Sequence, residues 1–152
     1  MSQSRLGIWF TTLLALFLVL LPLPDPMLAH NPQWLLLVVF YWLIYAPQKT
    51  GLVYAWFWGL LLDVALNTYI GSHALLFTLA AYAVRSIRHR IAVAALLLQA
   101  FTIAGITLLY LSISLWLVEG IHSLESTLIH LSRAISNLAA WPLLYFLLRT
   151  LR

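Results

Sequence analysis

The 152-residue sequence has no cysteine, which excludes disulfides, thiolate nucleophiles and cysteine-ligated metals. Charge is almost as scarce: 8% of residues are Asp, Glu, Lys or Arg, against about 25% in a soluble domain. Only four residues are acidic, Asp25, Asp63, Glu119 and Glu125, so paired carboxylates on one helix do not occur. The histidines at 30, 73, 89, 122 and 130 show no metal-ligand spacing, and there is no phosphate-binding glycine loop or Gly-x-Ser-x-Gly elbow. These absences point away from an enzyme and from any cofactor or metal centre. What remains is apolar: 64% hydrophobic residues and a mean hydropathy of +0.99 cannot clothe a surface in water, so lipid is the expected solvent.

Prolines and short polar stretches divide the chain into six apolar runs. The first ends at Pro22-Leu23-Pro24-Asp25-Pro26, where helix cannot continue. A lone Arg5 before an apolar core also describes a signal peptide, but the prolines stand where a small-residue cleavage site belongs. Further breaks fall at Pro47-Gln48-Lys49-Thr50, at Asn67 to Ser72, at the basic cluster Arg85-Ser86-Ile87-Arg88-His89-Arg90 and at Glu119 to Glu125. The expected fold is an all-α polytopic membrane protein, a single integral membrane domain with spans at 6–22, 33–46, 51–66, 73–85, 91–118 and 126–148. At about 20 residues per span, this length leaves no room for a separate soluble domain. The fifth run is long enough to tilt, bend or protrude. The second is short, so a re-entrant pair with the third is an alternative, although it would bury Lys49.

The net charge of +4 does not mark a nucleic-acid partner, because the basic residues sit between apolar runs as topology determinants do. With six crossings and a cytoplasmic N-terminus, Arg5, Lys49, Arg85, Arg88, Arg90, Arg149 and Arg152 all fall inside, while Asp25, Glu119 and Glu125 fall outside. Both termini are therefore expected in the cytoplasm.

Polar residues within the runs need a reason to be there. Ala55, Gly59 and Asp63 lie four apart on one helix face, which suits close approach to a neighbour. Asp63 reads either as a proton or ion site or as a packing contact with a neighbouring donor. Arg133 shares a polar stripe with Ser126, His130 and Asn137; it either pairs with Asp63 or snorkels to head groups. His73 is expected as a hydrogen-bonded interface residue behind an N-cap at Ser72. The dense aromatics Tyr41, Trp42, Tyr45, Tyr54, Trp56 and Trp58 each need a polar partner if buried. They read as bundle packing, as a cavity lining or, with Gly59, as a groove for another transmembrane helix.

The segment Pro32 to Tyr82 resembles the MreD family of rod shape-determining proteins. The likeness is carried by Pro32-Gln33-Trp34, Tyr41-Trp42, Pro47, Gly59 to Asp63, Gly71-Ser72-His73-Ala74-Leu75 and Tyr82, and later by Asn137, Trp141-Pro142 and Arg149. The resemblance implies a non-catalytic inner-membrane component of the cell-elongation complex that binds the MreC transmembrane helix and helps couple MreB to the peptidoglycan synthases. Trp34, Tyr41, Trp42, Gly59, Asp63, Gly71, His73, Arg133, Asn137, Trp141 and Pro142 are the candidate structural or partner-binding residues, and a homodimer is a further candidate assembly. The family also looks like the substrate-binding subunits of energy-coupling-factor transporters, so a vitamin-type small-molecule binding subunit is the alternative function.

Overall fold

The computed structural model describes residues 5–24, 27, 30–119 and 123–151. Asp25, Arg152 and the side chain of Glu119, all used above to orient the chain, lie outside the described residues, as does His122. The described residues form six helices: α1 (Arg5–Leu20), α2 (Trp34–Tyr45), α3 (Leu52–Leu66), α4 (Ser72–Val93), α5 (Leu96–Ser114) and α6 (Leu124–Arg149), with a π turn at Leu115–Glu119 extending α5.

The helix ends follow local chemistry. Asn67 stops α3 in the left-handed conformation with φ 53°, which Asn tolerates better than most residues. Ser123 caps α6, accepting from the Ser126 backbone N–H while the Ser126 hydroxyl accepts from the Ser123 N–H, a reciprocal capping box. Ser126, at the start of the polar stripe of α6, is exposed and used in this cap. Two helix bounds differ from the bounds of the apolar runs. The fourth run ends by 85 at the basic cluster, yet α4 runs on to Val93, because arginine is a good helix former and only the apolar run, not the helix, stops there. Helix α5 accordingly starts at Leu96, whereas the fifth run starts at 91.

At 1.5 Å per residue, α5 with its π turn and the 26-residue α6 are long and apolar enough to cross a membrane. Helices α1, α2 and α3 are apolar but shorter. The 12-residue α2 lies at the centre: every residue from Leu35 to Ile44 is buried. Its sequence, WLLLVVFYWLIY, has no polar face to present, and a helix apolar all round belongs inside a core. It packs against α1, α4 and α6, and the strongest pairings elsewhere are α3 with α4 and α5 with α6.

Successive helices alternate in direction. One end collects the C-terminal parts of α1, α3 and α5 with the starts of α2, α4 and α6, which together line a cavity. At the other end the Tyr45 hydroxyl donates to Gln99 Oε1 at 3.0 Å, and Arg85 lies against Gly51, its Nη1 3.3 Å from where a Cβ would stand. Lys49 is exposed at this same end.

Candidate functional site

Asp63 is wholly buried one turn before the end of α3, and it serves as the missing cap of α4. The first residues of any helix leave N–H groups without intrahelical acceptors. Gly71 occupies the cap position of α4 with φ 102° and offers no side chain. Asp63 supplies the acceptor from outside: Oδ2 takes the N–H groups of Gly71 (2.8 Å) and Ala74 (3.3 Å), and Oδ1 takes the N–H of His73 (2.9 Å). The same Oδ1 accepts from Thr68 Oγ1 at 3.0 Å and from His73 Nδ1 at 2.8 Å. A carboxylate oxygen only accepts, so Nδ1 of His73 carries the proton. The positive end of the α4 dipole adds to this attraction. Ser72, expected as the N-cap, is instead the first helical residue.

Gly59 makes the arrangement sterically possible. A Cβ there would stand 2.6 Å from both Ala74 Cα and the His73 carbonyl oxygen, and 2.9 Å from Ala74 N. One turn later on the same face comes Asp63, so the glycine admits the start of α4 close enough for the carboxylate to reach its N–H groups. This corrects the expectation of a partner groove at Gly59: the groove is filled by this chain's own α4. Tyr41 and Trp42, expected to help form it, are 0% and 1% exposed and have no surface to offer a partner.

The remaining candidates form a second network and a cavity wall. Asn137 is wholly buried and ties three helices together, its Oδ1 accepting from Gln33 N at 2.7 Å and its Nδ2 donating to Thr107 Oγ1 at 3.3 Å. Trp141 is also wholly buried, its ring 6.5 Å from that of Tyr41. Pro142 stands inside α6, which leaves the carbonyl four residues earlier without its helical donor. Trp34 Nε1 donates to Asn31 Oδ1 at 3.0 Å. Arg133 does not pair with Asp63, whose side-chain partners are Thr68 and His73; it lines the cavity of about 200 Å³ together with His73, His130, Asn31 and Gln33.

Sequence reasoning missed the threonines and the glutamine that bond Trp42, Tyr54 and Tyr45. Thr11 accepts from Trp42 Nε1 at 3.0 Å, the Thr12 hydroxyl bonds that of Tyr54, and Gln99 receives Tyr45. The available signal was the Thr11-Thr12 pair inside an otherwise apolar run, since polar side chains in lipid bind helices to one another.

No group of three or more metal-ligating side chains occurs among the described residues. Six mostly apolar helices, with several polar side chains bonded from one helix to another, define a small polytopic helical membrane protein. The chain matches the family model of the rod shape-determining protein MreD over residues 2–151 and belongs to that family. It is 27% identical over 151 residues to the rod shape-determining protein MreD of Haemophilus influenzae, covering 95% of this chain and 91% of that protein. No solved structure matches. The chain is thus a non-catalytic membrane protein of the rod complex, involved in determining cell shape.

Proposed function

We propose that the chain sits in the bacterial inner membrane with both termini in the cytoplasm, binds the transmembrane helix of MreC, and so helps link MreB to the peptidoglycan synthases. The orientation is supported by the gathering of Lys49 and Arg85 at one end of the bundle, the side on which basic residues are retained. The observation that carries the partner reading is an apolar groove of about 330 Å³ between α1 and α6. Phe10, Leu14 and Leu18 form one wall, Leu143 and Leu147 the other, and Trp34 and Val38 of α2 lie at its floor. Trp34 thereby keeps a partner-binding role, whereas Gly59 and Tyr41 are assigned to the fold. In lipid a helix gains little from apolarity alone, so a preformed groove offering close packing is the feature that selects one.

The test is co-purification of MreC with Leu147→Trp, which fills the groove, alongside Leu109→Trp on the exposed face of α5 as control. MreC recovery, normalised to membrane level, falls severalfold for Leu147→Trp only. Equal recovery from both variants removes the groove from the reading, and no recovery with the unsubstituted chain removes the partner.

A further inference from the structure

The α4–α5 hairpin puts positive charge and bare apolar surface at one height. Helix α4 continues past Arg85, which lies against Gly51 at the start of α3, as far as Val93, about 12 Å further at 1.5 Å per residue. Only Ala94 and Ala95 separate it from α5, and Gln99 fixes the turn, donating from Nε2 to the Ala94 carbonyl at 3.0 Å. With so short a link between two packed antiparallel helices, residues 96–104 of α5 stand beside residues 85–93 of α4. The α4 side carries Arg85, Arg88 and Arg90, whereas the large exposed side chains on the α5 side are Leu97, Leu98 and Phe101. Val93 at the tip is 86% exposed and Leu97 is 67% exposed. No acidic side chain is among the described residues of this end: Asp63 and Glu125 stand at the other, and Asp25 and Glu119 fall by chain order at helix ends that belong there as well.

Water would suit the arginines and leave the leucines bare, and hydrocarbon would do the reverse. An anionic phospholipid satisfies both at once. Its acyl chains lie on apolar side chains, while its phosphate meets guanidinium groups, which take paired oxygens bidentately, and basic clusters next to a membrane span attract such lipids. An acidic, water-soluble protein segment would match the charge but leave Val93, Leu97, Leu98 and Phe101 uncovered. We propose that the α4–α5 hairpin binds an anionic phospholipid, with the head-group phosphate on Arg88 and Arg90 and the acyl chains along Leu97, Leu98 and Phe101.

The full chain, purified in a neutral detergent, is titrated separately with phosphatidylglycerol, with zwitterionic phosphatidylcholine of the same acyl chains, and with a water-soluble glutamate-rich peptide. Native mass spectrometry reads what is retained. Detergent has no leaflets, so the outcome is independent of which side of the membrane this end faces. Phosphatidylglycerol is retained roughly tenfold better than phosphatidylcholine, the attraction of two basic side chains for an anionic head group, and the peptide is not retained. Arg88→Gln combined with Arg90→Gln brings phosphatidylglycerol down to the phosphatidylcholine level, whereas Arg149→Gln at the same end of the bundle leaves the preference intact. The proposal is overturned if the unsubstituted chain retains the two lipids equally, or if the double variant, melting as the unsubstituted chain does, keeps the preference. It is likewise overturned if Arg149→Gln abolishes the preference as fully as the double variant, or if the peptide is retained and phosphatidylglycerol is not, which would make this face a dock for an acidic protein segment. Should the double variant not fold, the two single variants are held to the same criterion.

Discussion

The two ends of the bundle deal with polarity in opposite ways. At the end where α3 turns into α4, Asp63 and His73 are buried and bonded to each other and to backbone N–H groups. At the other end, Lys49, Arg85, Arg90 and Arg149 are exposed. A polar group in an apolar solvent must either be satisfied inside the protein or reach the head groups and water; the buried carboxylate takes the first course at one end and the exposed basic side chains the second at the other. The difference predicts that substitutions at the first end act on folding, while substitutions at the second act on placement in the membrane.

The largest effect is expected at Asp63. Asp63→Leu removes the acceptor of three N–H groups, a threonine hydroxyl and His73, and should destabilise by about 3–5 kcal/mol, as loss of one partner from a buried pair does. Asp63→Asn keeps one acceptor oxygen and should lose less. Thermal melting of the purified protein, with folded yield, checks both; a Leu variant as stable as the parent would erase the contrast between the ends.

Gly59 comes next. Even Gly59→Ala places a methyl 2.6 Å from backbone atoms of α4, and backbone cannot rotate away as a flexible side chain can. A loss of about 1–3 kcal/mol is expected, typical of overpacking, with Leu costing more than Ala. An Ala variant melting with the parent would mean that α3 and α4 separate freely, and that the Asp63 cap tolerates a wider gap.

The smallest effect on stability belongs to the basic half of α4. Replacing Arg88 and Arg90 by Gln should change melting by about 0.5 kcal/mol or less per site, as for ordinary surface positions, yet it should weaken retention of this end in the cytoplasm. Because the chain has no cysteine, a single cysteine introduced at Ser86 reports the sidedness of this end by membrane-impermeant labelling. Protection in the parent and partial labelling in the double variant are the expected pair of results. Labelling of the parent would invert the proposed orientation.

Particular residues show how far the sequence could be read. Its spacing put Gly59 and Asp63 on one close-approach face, but a spacing cannot say which neighbour approaches. The choice of α4 over a partner helix depends on the Asn67 to Gly71 turn bringing the chain back over that face. Arg133 was legible as an unusual charge, yet its position in a cavity wall with His73 follows from bringing the starts of α4 and α6 together. The end of α4 lies beyond the end of its apolar run, because the hydropathy of a helix can change at Arg85 without any change in its hydrogen bonding.

Composition and patterning by themselves determined the solvent, the helical class, the number of helices and the segregation of basic residues. These depend on transfer free energies and on proline and glycine stereochemistry, which act locally along the chain. Tertiary structure alone decided that α2 is central while the similarly apolar α1 leaves Phe10, Leu13 and Phe17 exposed. In water a polar face would mark the outside of a helix. In a bilayer the outside and the protein interior are both apolar, so hydropathy carries no such mark, and the inside is chosen by close packing and by the few hydrogen bonds that join one helix to the next.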